Sequence, residues 1–173
     1  MTVRQAVTRL TELGLVKADV DPGELFDLDA ALTHECGETI PDAITTLLIA
    51  LDAAIVIDGD GYGSDSDDYE EVFATITQCA GSGLDITDVK FDDTQRLHFV
   101  VNGAHRTWQP EYVSEGRIDV LCFVESISDL TPNDSRRWAS VQNEDVMAGS
   151  FILGQPDTLE HLTVEFGLDL HVH

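Results

Sequence analysis

The sequence predicts an α+β fold, with a mostly antiparallel sheet packed against helices and a helical N-terminal segment. Three observations support this class. Apolar residues recur at helical spacing through the first 56 residues, and they alternate on both sides of Asn102-Gly103. A second alternating pair of segments lies between Arg137 and Leu153. Helices and strands thus form separate runs, unlike the strict alternation of a parallel sheet. With 173 residues the chain suits one domain, with a helical part over 1–56 and an α+β part over 57–173.

The N-terminal part carries three predicted helices. Thr2 and Gln5 have the spacing of a capping box at the start of the first helix, which Gly14 ends. A second helix is predicted from Pro22, capped by Asp21, to Gly37. A third begins at Pro41-Asp42 and runs to Leu51. The apolar run 53–57 fits either an extension of that helix or a buried strand, since periodicity does not separate the two.

A loop and a helix are predicted next, followed by a three-stranded meander. Residues 57–71 begin as a Gly-, Asp- and Ser-rich loop, and Asp67 with Glu70 is spaced as a capping box. The helix that follows buries a stripe containing Tyr69, Val72, Phe73, Ile76 and Ala80. Alternating segments over 89–91, 97–101 and 104–108 form the meander, with Asn102-Gly103 as a two-residue hairpin turn.

The C-terminal third adds a helix, a hairpin and a final helix. Apolar spacing from Ile118 to Leu130 indicates the first of these helices. Residues 137–141 and 146–153 are predicted as strands around a turn at 143–145. Pro156-Asp157 begins the last helix, Gly167 caps it, and residues 168–172 alternate as an extended segment.

The charge of the chain restricts its partners. Asp and Glu number 33 against 9 Lys and Arg, a net charge of −24. Phosphate backbones and anionic lipid surfaces are bound by clustered Lys and Arg, which this chain lacks, so we expect no direct nucleic-acid or membrane binding. A basic protein partner is favoured instead, because opposite charge accelerates encounter.

Few residues point to cofactor chemistry or to a secreted protein. The N-terminus has helical periodicity rather than the apolar stretch of a signal peptide, and the three cysteines show no zinc spacing. We therefore expect a cytoplasmic protein with reduced thiols and no cofactor. None of the nucleophile-elbow, HExxH, P-loop or GxGxxG motifs occurs, so no catalytic residue is assigned and the protein is expected not to be an enzyme. His98 and His105 are placed to face each other across the hairpin, and His171 and His173 share one side of an extended segment.

The densest acidic segment is the candidate site. Residues 57–93 hold eleven acidic residues against Lys90 alone. Large aromatic side chains beside carboxylates are suited to contacts with Lys and Arg on a partner. We predict that the partner-binding residues are Asp58, Asp60, Tyr62, Asp65, Asp67, Asp68, Tyr69, Glu70 and Glu71.

The same loop resembles an EF-hand only in its first half. Asp58, Asp60, Gly63, Ser64 and Ser66 fall at positions 1, 3, 6, 7 and 9 of the calcium-binding count. Position 12 is a tyrosine, where a bidentate glutamate is required. A solvated acidic loop is favoured over a metal site, with calcium binding as an alternative.

The segment from about residue 88 to 168 resembles the small acidic immunity proteins encoded beside bacterial polymorphic toxins. The resemblance lies in the meander with VNGAHRTWQPEYV, a helix, a short hairpin and a Pro-Asp-led helix with the core DTLEHL. It implies a cytoplasmic, non-enzymatic protein that binds one cognate toxin domain tightly and blocks its active site. Basic nuclease-like toxin domains would match the charge of this chain.

Two other interpretations of the acidity stay open. A nucleic-acid mimic would present carboxylates in a regular rod, whereas an inhibitor would present one acidic patch. Alternatively, the acidity is an adaptation to a high-salt cytoplasm, because the chain has only two lysines and Asp outnumbers Glu by 21 to 12.

Overall fold

A computed structural model describes residues 1–17, 20–58, 66–114, 117–118, 121–142 and 148–173. The helices within these ranges are α1 (Val3–Glu12), α2 (Pro22–Leu25), α3 (Leu32–Glu35), α4 (Ile40–Ala50), α5 (Ser66–Ala80), α6 (Leu121–Ser126) and α7 (Pro156–Phe166), with a 3₁₀ turn at Ile127–Leu130. The strands are β1 (Ala54–Asp58), β2 (Ile86–Phe91), β3 (Leu97–Val101), β4 (Ala104–Trp108), β5 (Tyr112–Ser114), β6 (Arg117–Ile118), β7 (Arg137–Val141), β8 (Ala148–Gly154) and β9 (Leu170–Val172).

The strands form antiparallel sheets, which confirms the predicted α+β class. A four-stranded sheet has the order β1-β8-β7-β9, and the meander is a separate sheet with the order β2-β3-β4. A short hairpin, β5-β6, completes the strands of the described residues. No helix among those residues has the length and apolar character needed to cross a bilayer.

The four-stranded sheet separates two hydrophobic clusters. On β8, Phe151 and Leu153 belong to one cluster and Ile152 to the other, and on β7 Trp138 and Ala139 divide in the same way. Alternation places successive side chains on opposite faces of a strand. The first cluster packs against α5 and the meander. The second packs against the N-terminal helices and α7.

Most of the regular elements lie where the sequence predicts them. The capping box of Thr2 and Gln5 is formed in both directions at α1. The meander, the β7-β8 hairpin, α4 and α7 are confirmed, and Gly167 adopts the left-handed conformation at the end of α7. The ambiguous run 53–57 is a strand, because β1 pairs along its whole length with β8. The expected boundary between residues 56 and 57 therefore falls inside β1.

The predicted helix from Pro22 to Gly37 is wrong in its middle. Only α2 and α3 are helical, and residues 26–31 are extended or turn-like. The carbonyls of Leu28 and Ala30 accept hydrogen bonds from the first amides of α1, at 2.9 and 3.1 Å. The carboxylate of Asp27 accepts from the Asp29 amide at 3.1 Å, a local bond that competes with helix formation.

Two helix starts also differ from the prediction. Ile118 is in strand β6, paired with Tyr112, and α6 begins only at Leu121. α5 begins at Ser66, so Asp67 lies in the first helical turn and is not the N-cap of a capping box. The apolar spacing of these segments is compatible with a helix. The residue at which each helix begins depends on strand pairing and capping, which the periodicity of apolar residues does not show.

Candidate functional site

The N-terminal half of α5 presents the predicted acidic residues to solvent. Tyr69, Val72, Phe73 and Ile76 are buried on one side of the helix and join the first hydrophobic cluster. On the other side Asp67, Glu70 and Glu71 are exposed, and Asp68 is half-buried. We call the residues Asp67, Asp68, Glu70 and Glu71 the acidic face.

Helix stability explains only part of the acidic face. Asp67 and Asp68 lie in the first turn of α5, where negative charge interacts favourably with the helix dipole. Glu70 and Glu71 lie beyond that turn. Glu71 is four positions from Asp67 and three from Asp68, and Glu70 is three positions from Asp67. At these spacings like charges destabilise a helix by about 0.2–0.5 kcal/mol per pair. The two glutamates therefore add charge at a cost in helix stability.

The negative charge does not continue along the helix. The outward positions after Glu71 include Ala74, Thr75, Thr77 and Gln78, all uncharged. The acidic residues are thus concentrated at one end of α5, next to residues 57–65. A patch of this kind differs from an even spread of carboxylates.

The few cations of the chain form ion pairs elsewhere. The described pairs between arginine and a carboxylate are Arg4–Asp29, Arg9–Glu12, Arg9–Glu165, Arg106–Asp129 and Arg136–Asp134, at 2.6–3.2 Å. Among the ion pairs of the described residues, none includes Glu70 or Glu71. The negative charge of these two glutamates is therefore not neutralised by a described cation.

A groove adjoins the acidic face between α5 and β2. It has a volume of about 410 Å³, and its walls combine two carboxylates, from Glu70 and Asp88, with the apolar side chains of Phe73, Ile86 and Val89. A long cationic side chain has an apolar stem and a charged end, so both kinds of wall suit it. We call this recess the α5–β2 groove.

Sequence reasoning did not single out Asp88. It lies at a β-bulge, where the pairing of β2 with β3 shifts between Thr87 and Lys90. Its φ is +57°, a left-handed conformation that costs free energy for any residue other than glycine. Bulges redirect side chains, and here the bulge lies beside Glu70. No sequence signal marks this position, because asparagine and glycine, the usual residues for such a φ, are absent from β2.

Tyr69 is not part of the acidic face, which corrects the prediction for this residue. Its side chain is fully buried, with its ring centroid 5.4 Å from that of Phe91 and 6.3 Å from that of Phe123. Asp58 is exposed at the end of β1, which packs against α5. Asp60, Tyr62 and Asp65 lie outside the described residues, as does most of the calcium-like loop.

The four histidines singled out from the sequence form two separate local arrangements. His98 lies opposite Thr107 and not His105, and its Nε2 is 2.9 Å from a carboxylate oxygen of Asp92. That contact is the main reason why the pKa of Asp92 is held well below its usual range. His171 and His173 contact each other with ring centroids 4.8 Å apart, and Nε2 of His173 is 3.0 Å from the Ser140 hydroxyl.

The described residues offer no metal cluster, and the two cysteine side chains among them that are described are not activated. No group of three or more His, Cys, Asp or Glu side chains in these ranges could hold a metal ion. Cys36 and Cys79 are buried free thiols, and burial raises the pKa of both, that of Cys79 to about 11. Thiols with raised pKa values are poor nucleophiles at neutral pH.

Comparison with protein-family models, with curated proteins and with solved structures finds no match to this chain.

Proposed function

We propose that this protein is a non-enzymatic binding protein for a basic protein partner, and that the acidic face of α5 is its contact surface. The observation that carries the proposal is the pair Glu70 and Glu71. These glutamates are exposed, lie next to other carboxylates, and have no described cationic partner. A basic partner would relieve the repulsion among them, so that binding gains free energy at this surface.

The α5–β2 groove supports the same proposal. A lysine or arginine side chain of the partner would place its stem against Phe73 and Val89 and its charge between Glu70 and Asp88. Asp58 would extend the contact beyond α5. Residues 59–65, which include Asp60, Tyr62 and Asp65, continue directly from Asp58 and remain part of the proposed surface.

The most specific form of the proposal is an immunity protein that neutralises a cognate toxin domain in the cytoplasm. It rests on the resemblance over residues 88–168 and on the charge of −24. A toxin that acts on nucleic acid needs a basic active site, and an acidic face would compete with the substrate for it. The concentration of charge at one end of α5 favours this function over a general adaptation to salt.

The proposal is tested by co-expression with the protein encoded by the gene immediately upstream. We expect that protein to contain a basic toxin domain, and we expect the wild-type chain to protect cells from it. The double variant Glu70→Gln/Glu71→Gln should protect less, because it removes two charges from the contact surface without removing buried atoms.

The matched control is Glu24→Gln/Glu38→Gln, which makes the same change in net charge at two exposed positions outside α5. Full protection by this control together with weak protection by the α5 variant supports the acidic face. Equal protection by both variants would contradict it, and so would an upstream protein that is neither basic nor toxic.

A further inference from the structure

A second cavity of this acidic chain is lined by two cationic side chains. It has a volume of about 240 Å³ and lies where α1, α4, α5 and α7 approach the end of β8. Its charged wall residues are Lys17, Arg136 and Asp52, and its other walls include Cys79 and Gly154. Two of the nine Lys and Arg residues of the chain therefore line one small cavity together with one carboxylate, and Arg136 is also paired with Asp134, which lies outside the lining.

Hydrogen bonds hold both cations at the cavity. Lys17 donates from Nζ to the carbonyl of Gln78, in the last turn of α5, at 2.9 Å. Arg136 donates from Nε and Nη2 to Asp134 at 3.0 and 2.7 Å, and from Nη2 to the carbonyl of Ser82 at 3.3 Å. These bonds leave two ammonium donors on Lys17, and the Nη1 group of Arg136 has no described partner. Each cation is thus positioned by the protein and keeps donors for a further acceptor.

The start of α7 adds to the positive potential of the cavity. Gln155, the N-cap of this 11-residue helix, makes no side-chain hydrogen bond to the first turn. Gln155 and Thr158 both line the cavity. Pro156 has no N–H and the Leu159 amide bonds to the Gln155 carbonyl at 3.0 Å, so the free donors of this helix start are the amides of Asp157 and Thr158. The Asp157 side chain is in the same turn but does not line the cavity.

We propose that this cavity binds a small oxyanion, a phosphate or carboxylate group, between Lys17, Arg136 and the first turn of α7. Lys17, Asp52, Arg136 and Cys79 all line this one cavity. Burial is the largest cause of the raised pKa of the Cys79 thiol, and the two cations oppose it. The site is separate from the acidic face, and its ligand does not depend on the proposed basic partner.

The carboxylate of Asp52 would repel an anion bound in the cavity. Its carboxylate is 3.4 Å from the Nε2 donor of Gln78, and its φ is +54° at the turn that ends α4. Asparagine tolerates the left-handed conformation and carries no charge. Asp52→Asn should therefore tighten anion binding, whereas Lys17→Met should weaken it.

The test is an NMR titration of the full chain with inorganic phosphate and, separately, with acetate, each compared with chloride at equal ionic strength. We expect saturable shifts at the amides of Gly14, Lys17, Gly154 and Thr158. The dissociation constant should rise about tenfold in Lys17→Met, since a hydrogen bond to a charged group is lost, and it should fall in Asp52→Asn. Saturation by phosphate alone or by acetate alone identifies the group that the cavity takes.

Two control variants make the same charge changes elsewhere. Lys90→Met removes the only other lysine, and Asp93→Asn removes an exposed carboxylate that lines neither cavity. Both should leave the dissociation constant unchanged. The proposal is overturned if neither anion gives shifts beyond those of chloride, or if the controls change binding as much as the variants at the cavity.

Discussion

Glu165, near the end of α7, connects the two ends of the chain. Its carboxylate accepts two hydrogen bonds from Arg9 of α1, at 2.6 and 2.7 Å, and a contact of 2.9 Å from His161. The hydrogen bonds from Arg9 are the largest cause of its lowered pKa, which falls from 4.5 to about 2. The pair is on the surface, so its contribution to stability is modest and is reduced by salt.

The lowered pKa of Glu165 predicts a pH-dependent contribution to stability. A carboxylate whose pKa is lower in the folded state stabilises the fold above its unfolded pKa, and that contribution is lost as the pH falls through the folded pKa. Glu165→Gln should therefore lower the melting temperature at pH 7. The difference from wild type should shrink between about pH 4.5 and pH 2.

Thermal unfolding followed by circular dichroism at several pH values measures this difference. Glu160→Gln is the control, because Glu160 is an exposed residue of the same helix outside the described ion pairs. It should change the melting temperature little at any pH. A deficit for Glu165→Gln that is the same at pH 2 and pH 7 would show that the ionised carboxylate is not responsible.

At the scale of elements, the four-stranded sheet joins the two hydrophobic clusters. Ile44 of α4 lies in the second cluster, whereas both tryptophans, Trp108 and Trp138, lie in the first. Because β7 and β8 contribute side chains to both clusters, we expect one cooperative unfolding transition. Ile44→Val should lower the free energy of unfolding by about 0.5–1.5 kcal/mol. The free energy obtained from the tryptophan fluorescence transition should fall by the same amount.

Chemical denaturation followed by fluorescence and by circular dichroism tests this coupling. Val164→Ala, at an exposed position of α7, is the control and should change stability little. If Ile44→Val shifts the circular dichroism transition and leaves the fluorescence transition in place, the N-terminal helices unfold separately from the rest.

The elements that the sequence predicts well are those determined by local residues. The meander follows from alternation and the Asn102-Gly103 turn, and α7 follows from Pro156 and Gly167. The helix predicted over 22–37 fails because its middle bonds to the first turn of α1, which lies more than twenty residues earlier. Such a bond is not visible in the periodicity of either segment.

At the scale of the whole molecule, prediction of the candidate site from the sequence is also limited to what local residues determine. The acidic residues of α5 are found directly from the sequence, because charge density is a local property. Asp88 lines the groove only because β2 packs against α5. Tyr69 is buried because its ring packs between those of Phe91 and Phe123. Both depend on how separate elements pack together.

Across the whole molecule, the carboxylates behind the net charge of −24 divide into regions with ion pairs and regions without described ones. The described arginine pairs neutralise carboxylates near α1, α7 and the turn before β7, whereas Glu70 and Glu71 take part in none of them. A surface of this kind increases the rate of association with a basic partner more than it increases affinity. Its effect decreases as salt screens the charges.

The most direct measurement is the association rate constant between the purified chain and the protein encoded immediately upstream, as a function of ionic strength. For Glu70→Gln/Glu71→Gln the account predicts a rate several-fold lower than wild type at low salt, with the difference disappearing at high salt. The control Glu24→Gln/Glu38→Gln should stay close to wild type. Equal rates for the α5 variant and the wild type at low salt would contradict the central claim that the acidic face of α5 binds the partner.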